Sequence, residues 1–290
     1  MPELQPTMID AKQYSQSNDA SQKGIIHIIN EFDEQLINIS GKCMDIGCGP
    51  GDVTRNIILP ALHMEATIIG TDISEDMIKY ANKLYEDEKR LEFEILDIQT
   101  KNLPDKYISE FDHVFSFHTL HWCDDIRQAL ENIYHILRPG GTFLCAMVTS
   151  QNIFIILHKM AQDTRYASYV TKFNKFLTPF HNIPQPDKKM KKLLQSIGFV
   201  INHCSHRERT IFIKNVQKFP SAILSFVSLF LKDMPYNLLE QFKDEFTREY
   251  TRTLFGHAKL YNDEMAALDL HEILVFYAQK ITKEDNERCR

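Results

Sequence analysis

The octet Asp45-Ile46-Gly47-Cys48-Gly49-Pro50-Gly51-Asp52 places a carboxylate two residues before a turn of alternating glycines. A side chain at Gly47 or Gly49 would fill the space in which a ligand meets the backbone. A pyrophosphate-binding G-x-G-x-x-G loop needs a glycine where this chain has Asp52, which argues against a dinucleotide. The Asp45 carboxylate instead suits a cationic amino group, with Cys48 in the same turn. Asp72 closes Gly70-Thr71-Asp72-Ile73-Ser74, where a carboxylate can accept hydrogen bonds from both hydroxyls of a ribose. Asp97, in Leu96-Asp97-Ile98, sets an acid beside aliphatic side chains, which suits an adenine amino group and ring face. Each acid also has a plainer use: Asp72 could cap a helix, and Asp97 could be a solvated turn residue. Together the three acids and the glycine turn describe an adenosine with a cationic amino acid tail, namely S-adenosyl-L-methionine.

Short apolar runs must position these groups. Strands are expected at Lys42–Ile46, Ala66–Thr71, Leu91–Ile95, Asp112–Phe117 and Gly141–Val148, alternating with helical patterns. Helices fit Gln22–Ile37, Ser74–Tyr85 with Ser74 as N-cap, and Asp124–Leu137 before Arg138-Pro139-Gly140-Gly141. This alternation implies βαβ units and a parallel sheet whose ligands bind beyond the carboxyl ends of its strands. The three acids fall at three successive strand ends. The fourth is followed by Ser116-Phe117-His118-Thr119-Leu120-His121-Trp122, which faces the open end of the cofactor.

After Val148 the rhythm changes to aromatic helical stretches at 150–185 and 215–268. They are separated by a helix at Asp187–Ser196 and a strand at Phe199–Cys204, and His271–Gln279 reads as a closing strand. The expected fold class is α/β: a Rossmann-like, mostly parallel seven-stranded sheet with a helical cap from the C-terminal half. The expected organisation is an N-terminal arm and first helix (1–40), a cofactor-binding core (41–150), and a cap interleaved with the last two strands (151–290).

Composition narrows the function. With 43% hydrophobic and 25% charged residues the chain can build a packed core, and its net charge of −6 argues against nucleic acid. Six cysteines without C-x-x-C spacing point to reduced thiols in a cytoplasmic protein rather than a disulfide frame or zinc site. Leu224–Leu231 is apolar but too short to span a membrane, so no membrane insertion is expected.

The set Asp45-x-Gly47-x-Gly49-x-Gly51, Asp72-Ile73-Ser74, Leu96-Asp97-Ile98 and Leu137-Arg138-Pro139-Gly140-Gly141 resembles the class I S-adenosylmethionine-dependent methyltransferases. More narrowly, the segment Phe111–Trp122 resembles the insect juvenile hormone acid methyltransferases, as do Asp72–Lys83 and Tyr14-x-x-Ser17-Asn18. The close match covers about residues 14–145; beyond it the likeness is one of layout. The resemblance implies O-methylation of a terpenoid carboxylic acid such as farnesoic or juvenile hormone acid. It also implies that a glutamine of the N-terminal arm and a tryptophan after the fourth strand hold the substrate carboxylate. Here these are Gln22, with Gln16 as fallback, and Trp122.

The candidate cofactor-binding residues are Asp45, Gly47, Cys48, Gly49, Asp72, Ile73, Asp97, Ile98 and Ser116. Gln22, His118, His121, Trp122, Phe173 and Phe226 are the candidate substrate-binding residues, with Gln22 and Trp122 bearing catalysis. A carboxylic acid is ionised at neutral pH, so methyl transfer to it needs no general base and no metal. Indole N–H is a donor only, so Trp122 can bind an anion without competing for protons. The cap aromatics Phe154, Phe173, Phe176, Phe226, Phe230 and Phe255 could wall an apolar pocket or fill a core. A small polar acid of the trans-aconitate kind would call for an arginine in the cap, with Arg165, Arg207 and Arg209 available. A non-catalytic S-adenosylmethionine-binding protein is the other alternative. The expected partner is a small apolar acid, and the expected state a monomer or homodimer.

Overall fold

A computed structural model describes residues 19–174, 180, 183–213, 231, 233–255, 259–261 and 264–281. Its strands are β1 (Lys42–Ile46), β2 (Thr67–Asp72), β3 (Leu91–Ile95), β4 (Phe111–Phe117), β5 (Leu137–Gln151), β6 (Phe199–Ile213), β7 (Lys259–Tyr261) and β8 (Glu264–Lys280). They form one sheet in the order β3-β2-β1-β4-β5-β8-β6, and β7 pairs antiparallel with β8. The seven-stranded path matches the expectation, and β7 adds a short hairpin.

Strand β1 lies parallel to β2, from Lys42 opposite Thr67 to Ile46 opposite Thr71. Its other neighbour, β4, is also parallel. The central strands are almost entirely buried because both faces are covered, and Cys43, Met44, Val114 and Phe115 are wholly buried. The strand order reverses between β1 and β4, which opens a crevice at their carboxyl ends.

Helix α1 spans Asp19–Glu31 and α2 spans Asp33–Leu36, so the expected single helix breaks at Phe32. Helix α3 covers 52–61 and contains a π-helical turn at Thr54–Ile58. Helix α4 (Glu75–Leu84) starts at Ser74, whose hydroxyl accepts from the Met77 amide at 3.4 Å, and it buries Met77, Ile78 and Ala81. Helix α5 (Ile126–Ile136) is capped by Asp125, which accepts from the Gln128 amide at 3.0 Å. The remaining helices are α6 (Asn152–Ala161), α7 (Ala167–Asn174), α8 (Pro186–Ile197) and α9 (Tyr236–Phe255).

Three boundaries differ from the sequence reading. Strand β5 begins at Leu137, before the Pro-Gly-Gly segment, and β6 runs on to Ile213. Strand β8 begins at Glu264, inside the stretch expected to be helical to 268. There Leu268 and Leu270 are exposed and Asp269 is buried, a two-residue alternation with polarity inverted from the usual.

The chain divides into two compact units. A sheet unit comprises the described parts of 10–147, 184–206 and 274–290; a helical unit comprises those of 148–183 and 207–273. In the helical unit α9 lines up Phe242, Phe246 and Tyr250 at i, i+4 spacing, with centroids 6.3 and 5.8 Å apart. Tyr166 packs edge-on against Phe242 at 5.2 Å. Each fully buried Phe contributes roughly 1.5–3 kcal/mol through apolar burial. Beside this ladder lies one buried acid, Asp269, which accepts from Tyr250 Oη at 2.6 Å and Asn152 Nδ2 at 2.5 Å.

Candidate functional site

The crevice at the switch in strand order carries a pocket lined by Asp45, Gly47, Cys48, Gly49, Asp52 and His118, with Ile25 and Phe117 among its apolar walls. Its floor is the turn after β1. The Gly47 and Cys48 amides both donate to the Thr71 carbonyl of β2, at 2.7 and 3.0 Å. Gly47 has φ +73°, and a Cβ there would stand 2.1 Å from the Thr119 side chain. Thr119 Oγ1 lies 3.2 Å from the Gly47 carbonyl and 3.1 Å from that of Phe117, so the loop after β4 closes over the turn.

Asp45 is almost wholly buried, and its Oδ2 accepts from Thr54 Oγ1 at 2.6 Å. Burial pushes its carboxyl up to about 7; the Thr54 hydrogen bond opposes this, and the charge of Asp72 adds to it. Asp72 accepts from the Gly49 amide through Oδ2 and from the Ser74 amide through Oδ1, both at 2.9 Å. It therefore fastens the glycine turn to the start of α4, the helix-capping use foreseen as the plainer reading. Burial raises its pKa, against the lowering effect of its bonds to the Ser74, Gly49 and Ile73 amides.

The other candidates divide into groups. Asp97 is half-buried and accepts from the Gln99 amide at 2.9 Å, while Ile98 is buried and its carbonyl accepts from Asn132. Ile73 is 41% exposed. Ser116 is fully buried and donates to the Ile46 carbonyl at 3.2 Å, so its hydroxyl joins β4 to β1. His118 lies on the pocket wall with a left-handed backbone, φ +55°, a conformation that concentrates at functional sites in non-glycine residues. Trp122 ends the short 3₁₀ turn Leu120–Trp122 and is half-buried, its ring 4.8 Å from that of His121. His121 is buried and sits 6.4 Å from His118; burial and that neighbour hold its pKa well below the usual imidazole range.

Gln22 is half-buried on α1, one turn before the pocket-lining Ile25. The fallback Gln16 lies outside the described residues, as do Phe176, Phe226 and Phe230. Phe173 and Phe255 belong to α7 and α9, but their side chains lie outside the described ones. Phe154 is buried within α6.

Sequence reasoning missed three residues that build the pocket. Thr54 holds Asp45, Thr119 packs on Gly47, and Asp52 lines the pocket while being 94% buried by its 6% exposure. An acid opening a helix directly after a glycine turn was the available signal for Asp52.

The pocket suits the donor-rich, cationic end of S-adenosylmethionine. Two buried acids face it, a side chain at Gly47 would collide with its floor, and its described lining residues include neither lysine nor arginine.

Comparison with known proteins agrees with this geometry. Residues 44–145 match the methyltransferase domain family. Over 277 residues the chain is 29% identical to the juvenile hormone acid O-methyltransferase of Drosophila melanogaster, covering 94% of this chain and 93% of that one. The Bombyx mori protein of the same name is 28% identical over 246 residues, covering 82% and 85%. A candidate methyltransferase from Bacillus halodurans superposes with a TM-score of 0.55 over 89% of this chain and 99% of its own, at 14% identity, a likeness of fold. Residues 44–145 thus carry a methyltransferase domain on a Rossmann-like fold that takes S-adenosylmethionine as its cofactor, and over most of its length the chain resembles the insect juvenile hormone acid O-methyltransferases.

Proposed function

We propose that this enzyme esterifies the carboxylate of an apolar, terpenoid-like acid. The observation that carries the reading is the likeness, over most of the chain, to two insect enzymes named for methylating juvenile hormone acid. Bound S-adenosylmethionine supplies an electrophilic methyl group. The chain's own residues must then strip water from the substrate anion and aim one oxygen, with the reacting atoms held about 3 Å apart. Trp122 and Gln22 serve as neutral donors to the carboxylate, orienting it without the tight pairing that an arginine would impose. Burial keeps His121 an uncharged imidazole, so it shapes the loop without carrying a proton to or from the substrate. Asp45, Asp72 and Asp97 hold the cofactor's amino group, ribose and adenine. The free cysteines Cys43, Cys48, Cys123, Cys145 and Cys204 fit a reducing cytoplasm.

Arg165 counts against a small polar acid as substrate. It is engaged with both Asp163 and Glu245 at 2.6–3.0 Å, which leaves its charge answered. The test is methyl transfer from labelled S-adenosylmethionine to farnesoic acid, a medium-chain fatty acid and aconitate. Farnesoic acid is expected to rank first. Aconitate in first place would overturn the apolar assignment, and cofactor binding with no ester from any acid would overturn esterification.

A further inference from the structure

Asp52 opens helix α3, and only half of its carboxylate is accounted for. Tyr85 Oη donates to Oδ1 at 2.7 Å, whereas Oδ2 is buried with no hydrogen-bond partner among the described residues. A helix start favours an acid, but that does not explain an orphaned oxygen. Buried carboxylate oxygens are nearly always matched to donors, because an unmatched one forfeits its hydration without return. This oxygen belongs to a residue of the same pocket wall as Asp45, where no lysine or arginine stands among the described lining residues. A ligand that completes the site must bring positive charge and several N–H donors, which an ammonium group with its three hydrogens does.

We propose that Asp52 is a second carboxylate that, with Asp45, holds the ammonium group of the methionine portion of S-adenosylmethionine, making the pocket select the amino acid tail over the bare nucleoside. The inference rests on the cofactor reading above and adds a specificity-determining residue to it. Position 52 thereby has a positive role beyond excluding a dinucleotide loop.

The test compares two probes by calorimetry on the full chain. S-adenosylhomocysteine carries the amino acid tail, and 5′-methylthioadenosine lacks it. Asp52→Asn retains an acceptor for Tyr85 and removes the charge; Asp52→Ser retains a helix-start acceptor should the first variant fold poorly. S-adenosylhomocysteine affinity should fall at least tenfold in the variants, with methylthioadenosine affinity changing less than twofold. Unchanged S-adenosylhomocysteine affinity overturns the role of Asp52. An equal loss for both probes also overturns it, since Asp52 would then act only by shaping the turn. Should the unmutated chain bind neither probe, the cofactor reading itself fails, a result distinct from either.

Discussion

The sheet unit and the helical unit handle buried polarity in opposite ways. In the sheet unit the buried acids Asp45, Asp52 and Asp72 cluster around one turn, and Asp72 is held by the backbone amides of Gly49 and Ser74, while hydroxyls of Thr54 and Tyr85 hold the other two. In the helical unit Asp269, the one buried acid among its described residues, is held by the side chains of Tyr250 and Asn152 beside a ladder of aromatic rings. Backbone partners, such as the amides that hold Asp72, come with the fold. Side-chain partners must be supplied residue by residue. The matched methyltransferase segment, 44–145, lies wholly in the sheet unit, as this contrast leads one to expect.

The largest predicted effect tests the helical side of the contrast. Asp269→Ala strands the buried Tyr250 hydroxyl and the half-buried Asn152 amide and should cost about 2–4 kcal/mol, at roughly 1–3 kcal/mol for a fully buried unmatched group and less for the other. Denaturant unfolding measures it, and a loss below ~1 kcal/mol would show that these bonds are dispensable. On the sheet side, Gly47→Ala meets both a left-handed backbone and Thr119, at a cost of roughly 1–3 kcal/mol from the backbone alone. Its cofactor affinity should drop tenfold or more; unaltered calorimetry would mean that the turn does not seat the ligand. Trp122→Phe should slow methyl transfer at least tenfold, about 1.4 kcal/mol of barrier, with little change in melting temperature. An unchanged kcat/KM would remove Trp122 from the site.

The mildest effect is a pH dependence. Asp45 carries a pKa raised to about 7, so without ligand its contribution to stability is complete below its unfolded value of 3.8 and fades as pH rises through 7. Binding of a cation runs the other way, and S-adenosylhomocysteine affinity should climb several-fold from pH 6 to 8. Asp45→Asn should flatten that climb and raise the melting temperature of the ligand-free protein at pH 8. His113, lowered to about 3 by burial in β4, has the opposite sign. Its contribution is present above 6.5 and lost as pH falls toward 3. An affinity profile indifferent to the Asp45 substitution would sever the link between this acid and the ligand.

The same contrast explains what could be read from the residues. Strands β1 and β3 match their expected ranges, β1 as a mostly apolar run covered on both faces and β3 as an alternating strand at the edge of the sheet. The acids after β1, β2 and β3 were legible from position alone. Thr54 and Thr119 were not, since their importance arises from a hydrogen bond and a close contact across 9 and 72 residues of chain. Asp52 was visible only as a missing glycine. In the helical unit the start of β8 escaped notice because Leu268 and Leu270 face outward while the acid between them is buried.

The double attachment of Asp72 has a thermodynamic consequence. Because one carboxylate joins the glycine turn to the cap of α4, the cradle is assembled before any nucleoside arrives. Less ordering entropy then opposes association. Substitution of Asp72 would thus undo preorganisation along with any sugar contact, and the affinity lost there would measure the sum of two separate debts.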